Sequence, residues 1–225
     1  MTSPLPNMYL QWTESTEPLT TFLYYVIKRR EYGDTTWISV GKVPNRAVTF
    51  WNDYCVPAGI TFEYIVLAAK DVTGEVVESD EDTATIVSGT VNFKSAFLHP
   101  VTYPGSYAEL PHQSASIKSE LNTALVRPFS RAKPTVHIGP VDSLLISVNI
   151  SWPYGEQVWS TVRRVLTRQR TNGAVLCYRD GRGTRVFVGI VAHQRSDNRP
   201  QLEGNTLQLQ EVEYSETILG VGTST

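Results

Sequence analysis

Four histidines, two cysteines and one acidic triplet are the groups in this chain that could do chemistry. Their spacing supports little of it. His99, His112, His137 and His193 are scattered, with no H-x-H or H-x-x-x-H pair to bring two imidazoles onto one metal. They read as surface or satisfied core residues. Cys177 alternates with apolar neighbours as a core strand residue does, and Cys55 lies far from it in sequence. Two buried free thiols are therefore expected rather than a disulfide. Asp80-Glu81-Asp82 would suit calcium by charge. The glycine and ligand spacing of an EF-hand loop are missing, which leaves a solvated acidic loop. The stretch Arg179–Arg185, RDGRGTR, has the glycines and cations of an anion-binding loop. It lacks the GK[ST] ending and the strand-to-helix setting of a phosphate loop, so it reads as a hairpin turn. With no nucleophile–base pair either, the expectation is a non-enzyme without cofactor or metal, whose work is contact.

Two groups of residues are candidates for that contact. Charge is split along the chain: residues 1–90 hold six Lys/Arg against twelve Asp/Glu, and residues 91–225 hold fourteen against ten. Arginine supplies most of the C-terminal positives. It pairs with carboxylates in bidentate fashion and is enriched at protein interfaces. Arg179, Arg182 and Arg185 at the hairpin tip, with Arg195 and Arg199 in a polar loop, form the candidate protein interface. Halves of opposite sign suit head-to-tail neighbours. The C-terminal excess is small and its aromatics do not interleave with the basic residues, so no nucleic-acid partner is expected. Tyr32, Trp37, Trp51 and Tyr54 are the second group, a surface for stacking a glycan or anchoring a partner, although aromatics of a β-sandwich are usually core.

The elements that must position these residues are mostly strands. From Tyr9 to Ser88 short alternating runs are separated by turn residues: Tyr9–Trp12, Thr21–Arg30, Trp37–Gly41, Ala47–Asn52, Thr61–Ala69 and Thr83–Val87. In the second run Phe22, Tyr24, Val26 and Lys28 share one face and Leu23, Tyr25 and Ile27 the other. Residues 89–112 carry Pro100, Pro104, Pro111 and Gly105 without periodicity and read as a linker or extended arm. Beyond it a strand pair, Lys133–Ile138 and Leu144–Ser151, is predicted around Gly139-Pro140. The helix after it carries Val158, Trp159, Val162, Val165 and Leu166 in one apolar stripe, and Asn172-Gly173 ends it. A hairpin over Asp180–Gly183 follows, then a polar loop, Ser196–Asn205, and a closing strand from Thr206 to Tyr214. No apolar run approaches the roughly 18 residues of a membrane span, and the start of the chain has no secretory signal pattern. A soluble protein folded in a cytosol is expected, with no membrane insertion.

The first segment resembles a fibronectin type III domain. The residues that carry the likeness are Trp12, Tyr25, Arg29-Arg30, Trp37 and the run Pro57–Ala69, close to the family's G-x-x-Y-x-V-x-A strand. The resemblance implies a β-sandwich in which Tyr64 forms the tyrosine corner. Little chain precedes Tyr9, so the first strand of such a sandwich is short or missing and its edge is open to a neighbour. The C-terminal part resembles the C-terminal domain of minor tail or tail-tip proteins of long-tailed phages that infect actinobacteria. There the carriers are Arg127-Pro128, the V-W-x-x-V-x-x-V-L helix, the L-C-Y-R-D-G-R-G-x-R-V-F-V-G hairpin and the closing E-V-E-Y.

Together these imply a mainly β protein. Residues 1–90 would be a fibronectin-like sandwich, 91–113 a linker, and 114–225 a β-barrel or sandwich carrying one helix. The function implied is that of a virion structural protein, made and folded in the host cytoplasm and built as a ring or collar near the tail end. Its partners would be copies of itself and the tube, hub, tape-measure or tip proteins. Two rival expectations are a tail adhesin binding host-surface glycan, and an accessory module of a carbohydrate-active system.

Overall fold

The structure, a computed structural model, describes residues 4–81, 84–110, 113–126, 135–153, 158–199 and 202–216. Among these the chain is mainly β, with three antiparallel sheets and one helix. It divides into two compact units. The first holds Pro6–Lys94 with Gly181–Thr184 and residues 214–216. The second is built from Ser95–Asp180 and Arg185–Glu213.

The first unit contains β1 (Met8–Gln11), β2 (Phe22–Glu31), β3 (Ile38–Val43), β4 (Phe50–Asp53), β5 (Thr61–Val72), β6 (Glu75–Glu78) and β7 (Val87–Thr90). β1 pairs only with β4. The second sheet runs β3-β2-β5-β6, and β7 takes the N-terminal half of β5 on the edge whose other half holds β6. Period-two alternation makes this a sandwich. Leu10 and Trp51 from the small sheet pack with Tyr25, Ile27, Val43, Phe62 and Tyr64 from the large one. Turn chemistry fixes the register: Gly33 (φ 96°) closes β2–β3, and Thr73-Gly74 (φ 56° and 92°) closes β5–β6 in the left-handed conformation a two-residue hairpin needs. One expectation fails at the start of β2. A register shift between Phe22 and Tyr24 moves Phe22 off the face of Tyr24 and onto that of Tyr25, whose ring it meets edge-on at 4.9 Å.

The second unit contains β8 (Ala96–Pro100), β9 (Ala108–Leu110), β10 (Gln113–Val126), β11 (Thr135–Pro153), α1 (Val158–Asn172), β12 (Leu176–Arg179), β13 (Arg185–Arg199) and β14 (Leu202–Glu211). They form one seven-stranded sheet, ordered β10-β11-β14-β13-β12-β8-β9. Ile146, Val148 and Ile150 alternate with Ser147 and Asn149, and Leu207 and Leu209 with Gln208 and Gln210, so one face is apolar. The helix seals that face with Val162 and Val165, both fully buried; each such burial contributes roughly 2 kcal/mol. Gly173 (φ 60°) ends the helix as expected, its N–H donating to the Gln169 carbonyl.

The structure departs from the sequence reading at several places: β6 and β10 have no counterpart in it, the closing strand ends at Glu211 and not Tyr214, and three further boundaries differ. The predicted linker, 91–113, supplies β8 and β9, whose Ala96, Leu98, Ala108 and Leu110 belong to the second core. Prolines that read as a break are compatible with them because Pro100 is the last residue of β8. The predicted pair around Gly139-Pro140 is a single strand, β11. Residues 139–141 oppose Asn122 alone, a bulge that absorbs the proline, and β14 pairs with β11 only from Leu145 onward. Of the predicted polar loop, Ser196–Arg199 extends β13 and Leu202–Asn205 begins β14, because the strand ladder satisfies the backbone whatever the side chains are.

Candidate interaction surfaces

Among the described residues, one set of charged side chains is buried between the two sheets of the first unit. Arg29 shares the inward parity of Tyr25 and Ile27 on β2 and lies directly opposite Tyr64 on β5. Asp53 reaches them from β4 in the facing sheet. Arg29, 1% exposed, gives Nη1 to Asp53 Oδ2 at 2.5 Å and Nη2 to Glu216 Oε2 at 2.9 Å. Asp53 Oδ2 also accepts the Tyr64 hydroxyl at 3.1 Å, and Oδ1 accepts the Cys55 N–H at 2.9 Å. The guanidinium stands 5.0 Å from the Phe62 ring centre, and its Nε has no partner.

Burial opposes the Arg29 charge, but Asp53, Glu216 and the Tyr64 dipole more than reverse it, so its pKa is raised. Burial first, then Asp53, holds the Tyr64 phenol protonated far above its ordinary range. Every oxygen of Asp53 is committed to a donor. The cluster is therefore a pin between sheets. The hydroxyl of Tyr64, which the resemblance assigns to a tyrosine corner, donates to this carboxylate.

A second cluster sits on the other face of β2. Lys28 pairs with Glu78 of β6 at 2.8 Å and with Glu81, so at least this acid of the loop expected to be solvated is engaged. Burial would lower the Lys28 pKa; the hydrogen bonds and charges of both glutamates raise it instead. Lys42 lies 3.6 Å from the centre of the Tyr24 ring, whose hydroxyl is pushed up by burial and then by Glu78.

The predicted contact residues fare unevenly. Arg179 is fully buried on β12 and leaves the candidate interface, because both faces of that short strand are covered. Arg182 is exposed at the hairpin tip, and Arg185 is half-buried with its guanidinium 5.4 Å from the Phe187 ring. Arg195 and Arg199 lie on β13, not in a loop; their side chains fall outside the described ones. Of the aromatics, Tyr32 is 69% exposed on the β2–β3 turn. Trp37 is half-buried beneath Arg30, 4.2 Å from ring to guanidinium, and Tyr54 is half-buried as well. Trp51 is half-buried, packed against the sandwich core beside Gly41.

Both cysteines are buried and neither is part of a disulfide. Cys177 lies opposite His99 across β12–β8, a neighbour the sequence spacing could not indicate, and His99 Nδ1 is 3.2 Å from the Pro100 carbonyl. His193 is half-buried on β13; His112 lies outside the described residues, as does the side chain of His137. Among the described residues no helix is long and apolar enough to cross a membrane.

Sequence reasoning missed a further surface. The outer face of α1 carries Arg163, Arg164, Arg168 and Arg170, all exposed, and the helix contains no acidic residue. Arg168 stands 5.4 Å from the ring of Tyr103, itself half-exposed. The signal was available as four arginines off the apolar stripe.

No family model matches the chain, and no curated protein matches it significantly.

Proposed function

We propose that this chain is a non-enzymatic structural component of the tail tip of a long-tailed bacteriophage, joined to copies of itself and to other tail proteins through side-chain contacts. The observation that carries the proposal is where the tail-protein resemblance falls in the fold. The helix, the R-D-G-R-G hairpin and the closing strand become α1, β12–β13 and β14, one contiguous piece built around the second core. A likeness spread over surface loops would carry far less. A sandwich whose β1 has a single strand neighbour supports the fibronectin-like assignment of the first unit and leaves a strand edge available for pairing. Exposed Arg182 supplies a charged tip for contact.

Immunogold labelling of intact virions with antibody against this protein tests the proposal. Gold confined to the distal end of the tail is expected. Gold on the capsid, or a protein absent from washed virions, overturns it. Within that reading, reversing charge in an Arg182→Glu/Arg185→Glu double variant is expected to block incorporation while the monomer stays folded.

A further inference from the structure

The two units carry complementary charge that neither of them consumes. In residues 1–90 every cation already has a partner. Lys28 holds Glu78 and Glu81, Arg29 holds Asp53 and Glu216, Arg30 holds Glu63, Arg46 holds Glu14, Lys70 holds Glu17, and Lys42 covers Tyr24. Acids are left over. Glu75 is exposed on the β5–β6 hairpin with Asp71 and with Val72, Val76 and Val77, which are 41%, 49% and 42% exposed. The register puts Glu75 on one face with Val72 and Val77. Asp71, whose Oδ1 accepts the Gly74 N–H, lies on the other with Val76. The first face offers an exposed acid beside two exposed β-branched side chains, the mixture an interface uses.

The helix α1 has the opposite deficit. Arg163, Arg164, Arg168 and Arg170 lie within one outward arc, and none has an ion pair among the described residues. Arg164 and Arg168 stand four residues apart, where like charges destabilise a helix, and no acid on α1 offsets them. The arginine stems and half-exposed Tyr103 add apolar surface, and Arg and Tyr are the residue types that dominate binding energy at interfaces.

We infer that the arginine face of α1, with Tyr103, docks on the acidic β5–β6 hairpin of a second copy of this chain. The contact joins different surfaces of the two copies, so repetition closes a ring or propagates a stack. This deepens the assembly reading and rests only on the part of it that has copies touching each other. A phosphate polymer would also suit four arginines. The complementary hairpin, with exposed Glu75 beside Val72 and Val77, favours the second copy.

Sedimentation velocity on the full chain, over a concentration series at about 0.05 M and about 0.5 M salt, tests the inference. The wild type is expected to associate and to weaken with salt. Arg164→Glu/Arg168→Glu and, separately, Glu75→Lys are each expected to weaken association about tenfold or more. A chain carrying all three changes should recover it, because a charge swap restores complementarity. Circular dichroism melting checks that every variant is folded, and recovery in the swapped chain excludes misfolding as the cause. Association untouched by either variant overturns this interface while leaving self-assembly standing. A monomer at every concentration and salt overturns the inference and leaves the tail proposal to the virion labelling. Salt-dependent binding of a short DNA duplex that is lost in the double arginine variant, without self-association, reassigns the helix to a nucleic acid and also overturns it.

Discussion

The two units solve the same packing problem with different materials. The second buries an aliphatic cluster, Ile146, Val148, Ile150, Val162, Val165, Leu207 and Leu209, between one sheet face and one helix. The first places a guanidinium, a carboxylate and a phenol in the middle of its sandwich, with Arg29 and Asp53 almost wholly buried. An aliphatic core tolerates repacking, whereas a buried ion pair is satisfied by one geometry and penalises every other. In the sandwich that geometry spans both sheets, since Arg29 lies on β2 and Asp53 on β4. The small sheet is only two strands wide and is poorly stable by itself; the pair fixes its register on the larger one.

The strongest way to break the contrast is Asp53→Ala. It strands the Arg29 charge, the Tyr64 hydroxyl and the Cys55 N–H together, and about 3–5 kcal/mol of sandwich stability is expected to go. Urea unfolding of the variant measures the loss. An Arg29→Met/Asp53→Leu pair should cost less than Asp53→Ala alone, since it leaves no buried charge; a larger cost would contradict the pin.

Alkaline pH attacks the same place without mutation. Tyr64, Tyr24, Arg29 and Lys28 all have raised pKa values, and all four lie in the sandwich. A raised folded pKa means that the folded state holds protons the unfolded state releases. The stabilisation is therefore complete below about pH 10 and is lost as pH rises beyond it. Tyrosinate absorbance should show Tyr24 and Tyr64, of eleven tyrosines, ionising late and together with unfolding. Early ionisation of Tyr64 in a folded protein would count against the cluster.

In the second unit Leu209→Ala leaves a cavity and no charge. About 3 kcal/mol is expected, with no dependence on alkaline pH. A milder probe returns to the sandwich. A Cβ at Gly41 would meet the Trp51 ring at 2.9 Å and Ile27 at 3.0 Å, so Gly41→Ala should cost about 1–3 kcal/mol by overpacking. Red-shifted Trp fluorescence without loss of stability would instead place Trp51 at the surface.

How far the sequence revealed this contrast follows from what is local. Period-two runs and turn glycines gave the sandwich strands, the helix stripe and the β12–β13 hairpin, because those signals act over a few residues. Strand boundaries failed where a bulge intervened, at Phe22 and at Gly139-Pro140, and where polar side chains hid a continuing ladder, in 196–199 and 202–205. The inward parity of Arg29 was legible beside Tyr25 and Ile27. Its carboxylates, 24 and 187 residues away, were not, because nothing local to Arg29 records which distant segment folds over it.

The smallest expected effect is also the most selective. Glu216 lies beyond β14, in the charged unit, where its carboxylate binds Arg29. Its side chain is 15% exposed, so part of its attraction is screened and Arg29 keeps Asp53 when it is removed. Glu216→Gln should then cost about 1 kcal/mol, the scale of one partly wet charged hydrogen bond. The sign of its location matters more than its size. If Glu216 is the third side of the pin, hydrogen exchange should quicken in β2, β4 and β5 and remain unchanged in β11 and β14. Faster exchange in β14 alone would make the residue an end-cap of its own strand. The charged core would then rest on Arg29, Asp53 and Tyr64 without help from the end of the chain.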